Sequence, residues 1–131
     1  MKKLLFAFLL IPFIANAQEI KYQSDDGNFV LYELNGDEPC LARKNLKVIQ
    51  AMRTTAHVCE VGNFSCELYW EGTMYLLDEH HYYDGEIIPN PAGKCAKQIG
   101  VYRYKTVNRF EDGSPIYKTV PVISILESNS Q

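Results

Sequence analysis

The chain has 131 residues, with 13 Lys and Arg against 16 Asp and Glu, a formal charge of −3, and 47% hydrophobic residues. That length supports one modest core rather than several. The acidic balance argues against nucleic acid or anionic lipid as partners, because both need a cationic face.

The chain opens MKKLLFAFLLIPFIANAQ: Lys2 and Lys3, an apolar run from Leu4 to Ala15, then Ala15 and Ala17 at an A-x-A site. This pattern predicts a secretory signal peptide over 1–17. The run is shorter than the roughly 20 residues that span a bilayer. Gln18, not a cysteine, would stand at the new N-terminus, and no later stretch is apolar for long enough to cross a membrane. A soluble protein of the bacterial periplasm or secreted space is expected, with no membrane insertion after cleavage. Without Lys2 and Lys3 the chain keeps 11 basic residues against 16 acidic ones, a charge of −5. Such a charge favours encounter with a cationic protein partner.

Residues 18–131 read as a single domain of strands and turns. IKYQS–DDGN–FVLYEL predicts a hairpin turning near Asp26-Gly27. After it, Asn35-Gly36 breaks the strand, and Pro39 stands where helices begin, behind Asp37 and Glu38. Ala42, Leu46, Ile49 and Met52 then recur at helical spacing and predict the one helix, from about Pro39 to Arg53. A strand through LKVIQAM is the alternative, since short apolar runs are ambiguous.

HVCEVGNFSCELYW predicts a second hairpin reversing at Gly62-Asn63, with Cys66, Leu68 and Trp70 inward and Glu67, Tyr69 and Glu71 outward. His57 then falls opposite Leu68, as a packed ring more than a catalyst. TMYLLDEHHYY runs into Asp84-Gly85, a strong turn signal, and EIIP returns as its partner. The last hairpin reverses at Asp112-Gly113, placing Tyr104 opposite Pro121 and Tyr102 opposite Ile123. Because Pro121 cannot donate to a ladder, the final strand is expected at an edge, with 126–131 frayed. The fold class is α+β, mainly β: a small twisted antiparallel sheet or partly open barrel of about six to eight strands with one helix.

All four cysteines, Cys40, Cys59, Cys66 and Cys95, lie in the exported part. An even count in an oxidising compartment predicts two disulfides. Zinc would need close cysteine pairs two to four apart, which are absent. Facing positions in the hairpin favour Cys59–Cys66 with Cys40–Cys95, and Cys40–Cys66 with Cys59–Cys95 stays open.

For chemistry, DEHHYYD (78–84) is the best stretch. On a strand Asp78 and His80 share one face, Glu79 and His81 the other, so neither face offers three ligands. His80 and His81 are thus weak metal candidates, no cofactor is expected, and the pair could also make a pH-sensitive patch. The nucleophile elbow, phosphate loop and H-E-x-x-H are all missing from the sequence. Nine tyrosines against one tryptophan favour recognition. Tyr75, Tyr82 and Tyr83 form one group, and Tyr102, Tyr104 and Tyr117 another.

DEPC at 37–40 and a later Cys66 and Trp70 resemble a pattern in short exported proteins of bacteria and their phages, over roughly 29–90, although here Trp70 lies four residues past the cysteine. The resemblance implies small size and a disulfide near the front, and carries no active site. YWEGTMYLL is also similar to the final strands of periplasmic lysozyme inhibitors, which are small, β-rich and disulfide-bonded.

The expectation is therefore an exported non-enzymatic binding protein, of inhibitor or immunity type, occluding a cationic protein through Tyr82, Tyr83, Asp84, Glu86 and Asp78. A small metal-binding or hydrolytic protein centred on His80 and His81, and a phage- or envelope-associated structural factor altering the host surface, are the alternatives.

Overall fold

The computed structural model describes residues 19–52, 55–77 and 80–128, with backbone alone at 107 and 108. The predicted signal peptide, Asp78, Glu79 and 129–131 lie outside them. Nine strands form one sheet: β1 (Ile20–Gln23), β2 (Phe29–Tyr32), β3 (Cys40–Ala42), β4 (Leu46–Ala51), β5 (Thr55–Glu60), β6 (Met74–Leu77), β7 (Ile87–Ile88), β8 (Lys94–Arg109) and β9 (Pro115–Glu127). Among the described residues one helix, α1 (Phe64–Tyr69), follows β5. The sheet order is β1-β2-β8-β9-β6-β5-β4-β7, and β3 adds to β8 beside β2. The expected mainly-β class with one helix and two disulfides is what forms.

The first and last hairpins form where turn chemistry places them. At the first, Asp26 Oδ1 accepts from Ser24 Oγ at 2.7 Å and from the Asn28 N–H at 2.9 Å. At the last, Asp112 Oδ1 takes the Ser114 hydroxyl and N–H in the same way, which is the usual work of Asp in a turn.

Several expectations are overturned. Residues 39–52 are not a helix, the expected end at Arg53 lying outside the described residues: β3 and β4 are strands, because Leu46 and Val48, two apart, are both buried and pair with β5. Pairing on both edges of β4 decides an ambiguous apolar run in favour of period two. The Asp84-Gly85 turn exists, but β7 pairs with β4 rather than with β6, through Leu46↔Ile88 and Lys47↔Ile87. The final strand is not an edge: β9 lies between β8 and β6, and its parallel ladder with β6 starts at Val122, one residue after Pro121. Pro121 thus stands where β9 passes from one partner to two. An irregularity between Lys105 and Arg109, on the turn side, also shifts the register, so Tyr104 faces Lys118 and Tyr102 faces Val120. Leu126 and Glu127, expected to fray, continue the ladder opposite Cys95 and Lys94.

Alternation divides the interior in two. Ala56 and Val58 of β5, Met74 and Leu76 of β6 and Ile123 of β9 fill one side, with Ala42, Leu46, Val48, Ile88 and Ala96. The other side carries Tyr75, Val120 and Val122 with Phe29, Leu31, Tyr102 and Tyr104. Asn90 joins the exit of β7 to the β3–β4 connection, its amide donating to the Ala42 and Lys44 carbonyls at 3.1 Å each.

At Gly100 the close approach of β2 leaves no room for a side chain: a Cβ would meet the Val30 carbonyl. Gly100→Ala is expected to cost about 1–3 kcal/mol, the range for overpacking a tight site. Urea denaturation measures it, and an unchanged midpoint would mean β2 and β8 are not held this closely.

Candidate functional site

The second side of the sheet is a band of rings. It begins on the first hairpin with Tyr22 and Phe29, whose centroids are 6.3 Å apart. Phe29 meets Tyr102 at 5.9 Å and Tyr75 at 6.4 Å, edge to face. Tyr75 stacks on Tyr102 at 4.6 Å, and Tyr102 on Tyr104 at 5.6 Å. The stack is a consequence of period two, because residues two apart on β8 share a face, the adjacent β2 presents Phe29 to them, and Tyr75 reaches them from β6, beyond β9.

His57 closes the band. Its ring lies 5.1 Å from each of Trp70, Tyr75 and Tyr104. It faces Gln50 and Tyr75 across the ladders rather than Leu68, and only 3% of it is exposed. Burial lowers its pKa to about 4, so the imidazole is neutral near pH 7. Nδ1 has no hydrogen-bond partner. The same burial raises the Tyr102 and Tyr104 phenols above their ordinary value, which keeps both hydroxyls protonated.

Trp70 reaches His57 from an unusual backbone. The expected hairpin at 57–70 is replaced by the end of β5, a turn through Gly62, and α1. Asn63 is the helix N-cap, its Oδ1 accepting from the Cys66 N–H at 3.2 Å. Trp70 ends the helix at φ 62°, and its N–H returns to the Cys66 carbonyl at 2.8 Å. A left-handed cap is normally glycine. An indole held there is a local strain of the sort that marks recognition sites. Cys59–Cys66 staples α1 to β5, and Lys47 Nζ on β4 pairs with Glu67 Oε1 at 3.1 Å.

Between α1 and the β8–β9 arm lies a cleft of about 580 Å³, with Tyr69, Trp70, Tyr102 and Tyr104 as aromatic walls and Lys105 and Lys118 among its lining. Neither a family model, nor a curated protein, nor a solved structure matches the chain. The site is therefore judged on its geometry alone.

The outer face of α1 is apolar. Phe64 is 72% exposed, Leu68 68% and Tyr69 70%, while Cys66 alone of the helix is buried. Phe64 and Leu68 are four apart and share a face. Both cysteine pairings favoured above, Cys40–Cys95 and Cys59–Cys66, are formed, as fits an oxidising compartment.

The residues singled out at 78–86 are differently placed. Tyr83 is exposed, and Tyr82 packs on the first core. Asp84 Oδ1 accepts from the Ala51 N–H at 2.7 Å, and Glu86 Oε1 from the Tyr83 N–H at 3.1 Å, so both carboxylates shape the loop. The His80 ring lies tilted against Tyr82 at 4.6 Å, and His81 is exposed. Asp78 lies outside the described residues. Among the described residues, no three His, Cys, Asp or Glu gather as a metal site, and no helix is long and apolar enough to cross a membrane. Sequence reasoning paired Tyr102 with Tyr104 but did not bring Trp70, His57 and Tyr69 to them. The missed signal was Asn63 ahead of SCEL, an N-cap residue before a short helical turn.

Proposed function

We propose that this is an exported, non-enzymatic binding protein that occludes a cationic protein partner, presenting α1 as an apolar projection. One observation carries the reading: a helix with three large exposed apolar side chains is immobilised by a disulfide, an N-cap and an ion pair. Solvent-exposed rings on a mobile loop would lose entropy on binding, whereas a stapled helix has already lost it. Convex and apolar, α1 suits insertion into a partner's cleft. The acidic balance of residues 18–131 attracts a basic partner and raises the encounter rate. The loop bearing Tyr82, Tyr83, Asp84 and Glu86 is a second contact surface in this proposal, with Tyr83 as its exposed anchor.

The defined probes are cationic wall hydrolases, assayed by the clearing of a cell-wall suspension. Inhibition of at least one is expected, and Phe64→Ser with Leu68→Ser should weaken it at least about tenfold, since apolar anchors dominate such interfaces. Tyr83→Ala reports separately on the 80–86 loop. Failure to slow any hydrolase in the panel, or equal inhibition by the α1 double variant, would remove the proposal.

A further inference from the structure

The cleft behind α1 shares Tyr69 with the apolar projection in front of it, but it adds cationic side chains that the projection lacks. In a chain with more acidic than basic residues, the side chains lining this cleft include Lys105 and Lys118 and not one carboxylate. The pairing of β8 with β9 places Lys118 directly across from Tyr104, so one ammonium group stands on the same face as the ring stack. The remaining lining is mostly aromatic, completed by Gln50, Met52 and Thr106. A volume of about 580 Å³ lies within the range of small-ligand sites.

We infer that this cleft binds a carboxylated sugar, one or two rings of an acidic saccharide. The C–H faces of a pyranose match flat aromatic walls. Its hydroxyls match phenol and amide edges, and its carboxylate matches Lys118, with Lys105 at the rim. A nucleotide fits less well, because phosphate cradles are built from consecutive backbone N–H groups, and this lining is side chains. His57 adds a second, independent pointer. It lines the cleft, is almost wholly buried, and its Nδ1 is satisfied by no protein group. The Trp70, Tyr75 and Tyr104 rings pack around the imidazole, and a ligand hydroxyl entering beside Trp70 would give this nitrogen a partner.

The site carries its own reporter, because Trp70 is the single tryptophan of the chain. Titrating the exported protein with short oligomers of galacturonic acid should give a saturable change in tryptophan fluorescence. Neutral galactose oligomers of equal length should bind about tenfold more weakly or worse, as expected for loss of one or two charge-assisted contacts. Lys105→Gln with Lys118→Gln, both exposed positions, should bring the acidic oligomer down to the neutral one and leave the neutral one unchanged. His57→Phe keeps a ring in place and should weaken both. No fluorescence response, equal binding of acidic and neutral oligomers, wild-type binding by the lysine double variant, or tighter binding of adenosine monophosphate or benzoate than of the acidic sugar would each overturn the inference. None of these readouts depends on a protein partner, so the outcome is separate from that of the hydrolase assay.

Discussion

Replacing Cys40 and Cys95 together by alanine is expected to lower stability by about 4 kcal/mol, against about 2.5 kcal/mol for Cys59 and Cys66, because the cost of leaving an unfolded loop open grows with its length. The two bridges close separations of 55 and 7 residues. For a domain whose total stability is about 5–15 kcal/mol, loss of the longer bridge alone is a large fraction. The structural consequence is specific. Strand β3 has three residues and meets β8 through Cys40↔Lys97 and Ala42↔Ala96. Cys95 is fully buried beneath it. Without the bridge, the long connection from β2 to β3 is anchored mainly by Glu38. Burial opposes ionisation of that carboxyl, but the Asn35 and Gly36 N–H groups and the charge of Lys97 outweigh it and hold its pKa below the ordinary value. Equilibrium urea unfolding of both double variants measures the ranking. A Cys59/Cys66 variant less stable than the Cys40/Cys95 variant would show that native packing around α1, and not chain entropy, sets the order.

How much of this was legible in the sequence depends on how local each signal is. Asp26-Gly27 and Asp112-Gly113 declare their hairpins because the turn residue, its hydrogen bonds and both strands lie within a dozen positions. The pairing of Cys59 with Cys66 was read from facing positions in a hairpin, and it forms although the chain joins them by a helical turn. The helix itself was hidden: α1 buries only Cys66, so it has no apolar stripe facing inward to read. The choice of partner for β7, and the parallel contact of β6 with β9, are non-local. Val122 and Tyr75 meet across 47 positions of chain, and nothing within either segment encodes the other. The same holds for the candidate site. Tyr102 and Tyr104 announce a shared face by their spacing, but the wall opposite comes from Trp70, and its placement requires a left-handed cap that no propensity favours for tryptophan. The cleft is legible only once three separate segments have been brought together.

Stability is expected to fall by about 2 kcal/mol between pH 7 and pH 5, and His57 is the cause. Its folded pKa lies at about 4 against 6.5 for the free side chain. Below pH 6.5 the unfolded chain binds a proton that the folded chain refuses, so stability is complete above that value and drains away as the pH descends to about 4. The depressed carboxylates belong to a lower window. Asp26 and Asp112, each held down first by a serine hydroxyl, and Glu38 lose their contribution only as they themselves titrate. The upper part of the acid limb therefore isolates the imidazole. Urea unfolding at closely spaced pH values measures the slope, and His57→Phe should flatten it between pH 6.5 and 5 while leaving the lower, carboxylate-driven fall intact. A slope that persists in the Phe variant would assign the effect to another group and place His57 in a wetter setting than its ring contacts describe. The same titration bears on the cleft. Protonation puts a cation behind Trp70 with no hydrogen-bond acceptor for Nδ1, so acid should loosen the indole before it unfolds the domain, and tryptophan emission should shift at a higher pH than the loss of sheet structure.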